Sequence, residues 1–244
     1  MVPLRDENPV KITPYVTYGL IAVNILVFFI ELSVSASAPG ALQALLEQWA
    51  VVPKELTNSL VHFSASSFLE WKTVVTSQFL HAGFLHLAGN MLYLWIFGNN
   101  VEEEMGRIRF LTFYILCGIL AVLAQWFFSP ESAIPSLGAS GAIAGVMGAY
   151  IFRYPQVRIL TLVPLGFLWL TPRVPAFLFL GIWFIQQAVY GVASLGVATN
   201  VGMESGGVAY WAHAGGFAFG AILGPLFGLF DRLDAERSPT SNQE

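Results

Sequence analysis

Charged residues divide this chain into long apolar blocks. Stretches free of Asp, Glu, Lys and Arg cover residues 12–30, 73–101, 110–130, 132–152, 174–203 and 205–230. Each reaches the ~20 residues that a helix rising ~1.5 Å per residue needs to cross ~30 Å of hydrocarbon. Six spanning helices are therefore predicted. A seventh apolar stretch, 159–172, is too short to span and contains Pro164 and Pro172. It reads as a membrane-surface or re-entrant segment. The long connection at 39–72 carries two amphipathic stretches, Gly40 to Val52 and Leu60 to Trp71, suited to lie on a membrane surface. The charge-dense turn after the second block (Glu102, Glu103, Glu104, Arg107, Arg109) reads as solvated, and the polar tail 231–244, with Pro239, as lacking fixed structure.

Composition agrees with the pattern. Of the 244 residues 56% are hydrophobic and 11% charged, against about 25% charged in soluble domains. A water-facing surface cannot be built from so few charges, and the lipid bilayer is the expected surrounding. The net charge of −4 gives no reason to expect nucleic-acid binding. The single cysteine, Cys117, excludes an internal disulfide and a cysteine metal cluster; no metal and no cofactor are expected. Ala36-Ser37-Ala38 superficially resembles a processing site. However, the preceding apolar core is long, and the leader mixes Asp6 and Glu7 with Arg5 and Lys11, so an uncleaved anchor is the expectation.

Sidedness follows from Lys and Arg. With residues 1–14 in the cytoplasm, the inside segments hold nine of them (Arg5, Lys11, Arg107, Arg109, Arg153, Arg158, Arg173, Arg232, Arg237) and the outside segments two, Lys54 and Lys72. The resulting organisation is an all-α polytopic membrane protein. It comprises a cytoplasmic segment 1–14, a six-helix membrane domain 15–230 and a cytoplasmic tail 231–244, and the expected location is the cell (inner) membrane of a prokaryote. Without internal repeats, an inverted-repeat transporter gains no support.

Polar groups inside spans are costly and informative. Ser140 lies in Gly138-Ala139-Ser140-Gly141-Ala142, where irregular chain after Pro135 turns into helix running to about Tyr154. Some 13 residues from Ser140 to Arg153 make ~20 Å of helix, so Ser140 is expected roughly 10 Å below the outer surface of a ~30 Å core. Free N–H groups and the positive dipole end there suit developing negative charge; a plain N-cap is the simpler role. His213, in Ala212-His213-Ala214-Gly215-Gly216, opens a ladder of Gly216, Gly220 and Gly224. Gly141, Gly145 and the nearby Ala144 and Gly148 give the serine helix its own small face, so the two helices can approach until Ser140 and His213 hydrogen-bond. His86 and Asn90, spaced i, i+4, share a face of the second span and serve equally as oxyanion donors or as an interhelical pair. His81, five residues before His86, points elsewhere and reads as structural. His62 reads as solvated. Gln186 and Gln187 are expected to bond to neighbouring helices, or one of them to line a gate.

Together these segments resemble the rhomboid family of intramembrane serine proteases. The matches are Gly138-Ala139-Ser140-Gly141, Ala212-His213-Ala214-Gly215-Gly216 with its glycine ladder, His86 through Asn90, and Gly98-Asn99-Asn100-Val101-Glu102. The resemblance covers roughly residues 15 to 230 and implies a six-transmembrane-helix rhomboid-like bundle. By that resemblance Ser140 is the nucleophile and His213 the base. The oxyanion hole consists of the Ser140 N–H, His86 and Asn90, and Gly138 permits the loop geometry. No span holds an Asp or Glu deep enough to complete a triad. The implied partners are single-span transmembrane proteins, cut after a small residue near the outer end of the span. Regular helix shields its peptide bonds, so such a substrate must unwind first.

Two positions depart from the family pattern. Ala144 stands where an aromatic residue often stacks on the catalytic histidine, leaving Trp211 or Phe217 as candidates to orient the ring. Trp71-Lys72 replaces Trp-Arg, and lysine keeps the charge without the bidentate fork. The competing readings are an inactive rhomboid-like protein that binds transmembrane segments without cutting them, and a small transporter or channel. The first is expected to have lost Ser or His, and both are present. The second calls for paired interior charges or repeats.

Overall fold

The computed structural model describes residues 1–62, 65–195 and 209–231; the expectation for the tail falls almost wholly outside them. The protein is mostly helical, and every predicted apolar block carries a helix. α1 (Tyr15–Ser37) is followed by three short helices in the long connection, α2 (Ala41–Trp49), α3 (Pro53–Val61) and α4 (Ala65–Thr76). α5 (Phe84–Tyr93) runs through a π-helical turn, Leu94–Gly98, into α6 (Asn99–Met105). α7 (Arg107–Phe128), α8 (Ser140–Arg153), α9 (Ala176–Ser194) and α10 (Tyr210–Leu223) complete the bundle.

Three of these, α1, α7 and α9, are each long and apolar enough to cross a membrane, and the pair Ser67–Phe79 and Phe84–Met105, bent by 77°, makes a fourth if taken as one span. α8 and α10 hold 14 residues each, ~21 Å of helix, and do not reach across ~30 Å unaided. Leu26 and Phe29 of α1 and Ile185 and Val189 of α9 are exposed, an outer surface that lipid can cover and water cannot stabilise.

α8 is the central helix. Gly141 through Tyr150 are all buried, as expected of a helix apolar on every side. Its small face lies directly against α10. A Cβ on Gly216 would collide with the carbonyl of Gly141, and one on Gly220 with that of Gly145. These two contacts bring the helix backbones together as the glycine spacing predicts.

The expectation of solvated charges after the second block holds for Arg107 and Arg109, which are exposed, but is corrected for the three glutamates, which lie within α6. Glu102 is fully buried. It accepts hydrogen bonds from the Val16 and Thr17 N–H groups at 3.0 and 2.8 Å and from Thr17 Oγ1 at 2.8 Å, capping the first turn of α1. Those N–H groups have no acceptor within their own helix, and a carboxylate is favoured at the positive dipole end. Glu103 accepts from the Lys11 N–H. Glu104 binds Tyr154 Oη at 2.7 Å and Arg153 at 3.2 Å. Three adjacent glutamates thus fasten three separate segments.

The all-α expectation needs one correction. A four-stranded sheet joins β1 (Val2–Asp6), β2 (Arg158–Leu165), β3 (Leu168–Leu170) and β4 (Arg173–Pro175). β1 pairs antiparallel with β2 (Val2 opposite Leu162, Asp6 opposite Ile159), β3 returns from β2 through Gly166 at φ 61°, and β4 pairs with the start of β2. The 159–172 stretch is therefore an extended hairpin. Its β-branched residues favour a pleated strand, and Pro164 sits next to the turn. The hairpin tip, Phe167 to Trp169, is exposed, Phe167 completely. Pairing β1 with β2 places segment 1–14 on the same side as the α8–α9 connection, reinforced by an Arg173–Glu7 ion pair. Asp6 accepts hydrogen bonds from Tyr150 Oη at 2.7 Å and Asn100 Nδ2 at 2.9 Å. Burial raises its carboxyl above the ordinary range, against the lowering effect of those bonds.

On the opposite side, Val51 and Ser136 exchange backbone hydrogen bonds, and the Lys54 N–H donates to the Ser132 carbonyl. Lys72 lies 4.2 Å above the Trp49 ring, a cation–π contact, and Trp71 meets Trp126 edge-on at 6.3 Å. Lys72 therefore ties α4 to α2 by stacking on a ring, a role that needs only a cation.

Candidate active site

Ser140 is the first residue of α8. The preceding turn is held by the Gly138 N–H, which donates to the Ser77 carbonyl at 2.8 Å. Gly138 adopts φ 123°, which disfavours any side chain, and a Cβ there would stand 2.8 Å from the His86 ring. Glycine is required both for the turn and for the approach of His86. Because Ser140 opens the helix, the first N–H groups of α8 have no intrahelical acceptors.

His213 lies in the first turn of α10. Its Nε2 is 2.7 Å from Ser140 Oγ. The glycine contacts between α8 and α10 set that distance, since both residues project from the ends of the packed faces. On the other side of the ring, His213 Nδ1 lies 2.8 Å from Gln187 Oε1 of α9. Trp183, one turn earlier on α9, holds its ring 5.8 Å from the imidazole at 34°. Gln125 Oε1 of α7 accepts from the Ala212 N–H at 3.2 Å, tying down the start of α10.

A cavity of about 500 Å³ opens on this pair and is lined by His86, Asn90, Tyr93, Met147 and Trp183 together with Ser140 and His213. Both candidate oxyanion donors thus reach the same chamber as Ser140. Asn90 is buried, and its Nδ2 has no partner among the described residues. A buried donor left free beside a serine is what a developing oxyanion would use. Among the described residues no group of three or more His, Cys, Asp or Glu could hold a metal ion.

Several expectations are corrected here. His81 does not point away from His86: their rings meet edge-on at 5.2 Å. The chain is not helical at 80–83, so helical spacing does not apply. The His81 N–H donates to the buried Glu31 at 3.1 Å. Neither Trp211 nor Phe217 orients the His213 ring. Trp211 stacks on Phe128 at 3.8 Å, and Phe217 stacks on Phe184 at 4.8 Å. Gln187 and Trp183 hold the ring instead. The available signal for Gln187 was an amide inside an apolar block; Trp183 had none, since an aromatic in a span is ordinary.

A family model described as Rhomboid domain matches residues 69–230. The chain belongs to the rhomboid family. Among its rhomboid relatives, Rhomboid protease GluP of Bacillus subtilis is 38% identical over 144 residues, 57% of this chain and 24% of that protein. Rhomboid-like protein 11, chloroplastic, of Arabidopsis thaliana is 32% identical over 67% of this chain and 55% of its own length. Rhomboid protein 1, mitochondrial, of Saccharomyces cerevisiae is 28% identical over 85% of this chain and 51% of its own. The chain thus spans between a quarter and just over half the length of these rhomboids.

Proposed function

We propose that this chain is an intramembrane serine endopeptidase that cleaves transmembrane segments of single-span proteins with Ser140 and His213. The observation that carries this reading is the 2.7 Å contact between Ser140 Oγ and His213 Nε2 at the wall of the cavity. In the proposed reaction Oγ attacks the scissile carbonyl while Nε2 takes its proton. The negative charge on the carbonyl oxygen is met by the Ser140 N–H, Asn90 Nδ2 and His86. Collapse of the tetrahedral adduct breaks the C–N bond, and His213 returns the proton to the leaving amine. Water then repeats the sequence on the acyl ester.

An inactive rhomboid-like protein needs no such contact, and no observation favours it. The ~21 Å length of α8 supports a site below one membrane surface and a protein crossing the bilayer six times, with α8 and α10 as the short spans. The nine-to-two bias of Lys and Arg supports both termini in the cytoplasm of a prokaryotic cell. Water for the second step then enters from the outer face.

The test is cleavage of a single-span substrate by purified protein in detergent, wild type against Ser140→Ala and His213→Ala. Each variant should lose turnover while staying folded, and the double variant should be no worse than either single one, because the two act as one unit. Near wild-type turnover in either variant would sink the proposal.

A further inference from the structure

The His213 ring has two nitrogens, and only one of them faces Ser140. A neutral imidazole carries one N–H, and it can take a proton from Oγ only if that N–H sits on Nδ1. Among the described residues no carboxylate is bonded to Nδ1, so the Asp of a Ser-His-Asp triad has no counterpart. The partner is Gln187 Oε1 at 2.8 Å, from a side chain only 7% exposed. The position where rhomboids often carry a ring-stacking aromatic is Ala144, itself fully buried. No aromatic ring of α8 meets the imidazole among the described residues; the ring contact comes from Trp183 and the Nδ1 contact from Gln187, both of α9.

We propose that Gln187 is the positioning residue of this site, holding His213 with its proton on Nδ1 so that Nε2 is the base toward Ser140, while Trp183 limits the tilt of the ring. This inference rests on the dyad reading above. An amide oxygen can accept a hydrogen bond but not donate one, so with Oε1 turned toward Nδ1 it selects the tautomer as a carboxylate would. Being neutral, it leaves His213 uncharged at rest. When Nε2 takes the serine proton, the same oxygen stays bonded to Nδ1–H, and the ring does not turn as it charges. Trp183 and Gln187 are spaced i, i+4 and project from one face of α9, so one helix supplies both restraints.

The experiment uses the full chain in detergent micelles, labelled with ¹⁵N-histidine. The His213 signals are assigned by their loss in His213→Ala, and cleavage of a single-span substrate is followed across pH. Wild type should show the Nδ1-protonated tautomer. Gln187→Leu and the isosteric Gln187→Met should show a mixture of tautomers and a kcat lower by on the order of 10–10³-fold, with KM little changed, below the ~10⁴-fold cost of a wrong tautomer in a full triad. Gln187→Glu keeps an acceptor, so it should keep the tautomer and move the acid limb of the kcat profile to higher pH. A wild-type tautomer in Gln187→Leu and Gln187→Met overturns the proposal, whatever the turnover. So does a pH profile unmoved in Gln187→Glu. If wild type fails to cleave, the protease reading fails, and the tautomer spectra still decide the role of Gln187.

Discussion

Gly145 and Gly220 meet with their backbones in contact, and a Cβ on Gly220 would overlap the Gly145 carbonyl. Four residues toward the site, Gly216 stands in the same relation to Gly141. Ser140 and His213 lie just beyond that second contact. The Ser140–His213 distance is therefore set by two places where a side chain is missing.

Gly220→Ala should wedge α8 and α10 apart and lower turnover by ~10-fold or more, since a displacement of ~1 Å can cost 10²-fold. Gly181→Ala, in α9 where a Cβ meets nothing within 4 Å, should leave turnover near wild type. Steady-state cleavage by the two variants checks this. Equal activities would mean that the close approach does not set the geometry.

Asn90→Ala should reduce kcat by ~10²-fold or more with little change in substrate binding, the cost of one lost oxyanion donor. His86→Ala should do the same. A variant that keeps its turnover but melts earlier would assign that side chain to interhelical packing.

Glu102→Ala leaves the Val16 and Thr17 N–H groups without their acceptor in a buried setting. Hydrogen bonds to a charged group contribute ~1.5–3 kcal/mol each, so a loss of at least about 2 kcal/mol is expected. Glu102→Gln, which keeps an acceptor, should lose less. Thermal unfolding in detergent measures both, and an unchanged midpoint in Glu102→Ala would contradict the capping role.

Glu55 of α3 supplies a pH dependence outside the spans. Partial burial raises its carboxyl above the ordinary range, and the nearby Glu70 raises it further. The folded form thus holds this proton more tightly than the unfolded chain. Between the ordinary and the raised value, stability grows as pH falls and is lost as pH rises. Protection of α3 and α4 amides against hydrogen exchange should accordingly increase as pH is lowered from neutral toward the ordinary carboxylate range, and Glu55→Gln should flatten the trend. Protection that declines with falling pH would contradict it.

The location of the helices was legible because lipid demands length and apolarity, and charge breaks mark both. The start of α8 at Ser140 was legible from Pro135 and Gly138, and the approach of α8 to α10 from glycine spacing. What escaped depends on contacts between distant segments. Glu102 reads as solvated because a charge at a span end usually is; its role needs the start of α1, 85 residues away, to arrive beside it. The hairpin at 158–175 was hidden because its strands are mostly apolar on both faces, which erases the period-two signal. Gln187 was visible only as an amide needing a partner. That the partner is His213 follows from how α9 leans on α10.

The pairing of β1 with β2 also has a bearing on the order of events during synthesis. Residues 2–6 leave the ribosome long before 159–162 do, by roughly 8–30 s at ~5–20 residues per second. Throughout that interval the early strand has no edge to join, and Asp6 has neither Tyr150 nor its sheet neighbours. The sheet can close only after α8 has entered the bundle. Because α9 and α10 are made later still, the sheet closes on a bundle that lacks His213, and protease resistance of residues 2–6 would serve as a clock for the arrival of β2.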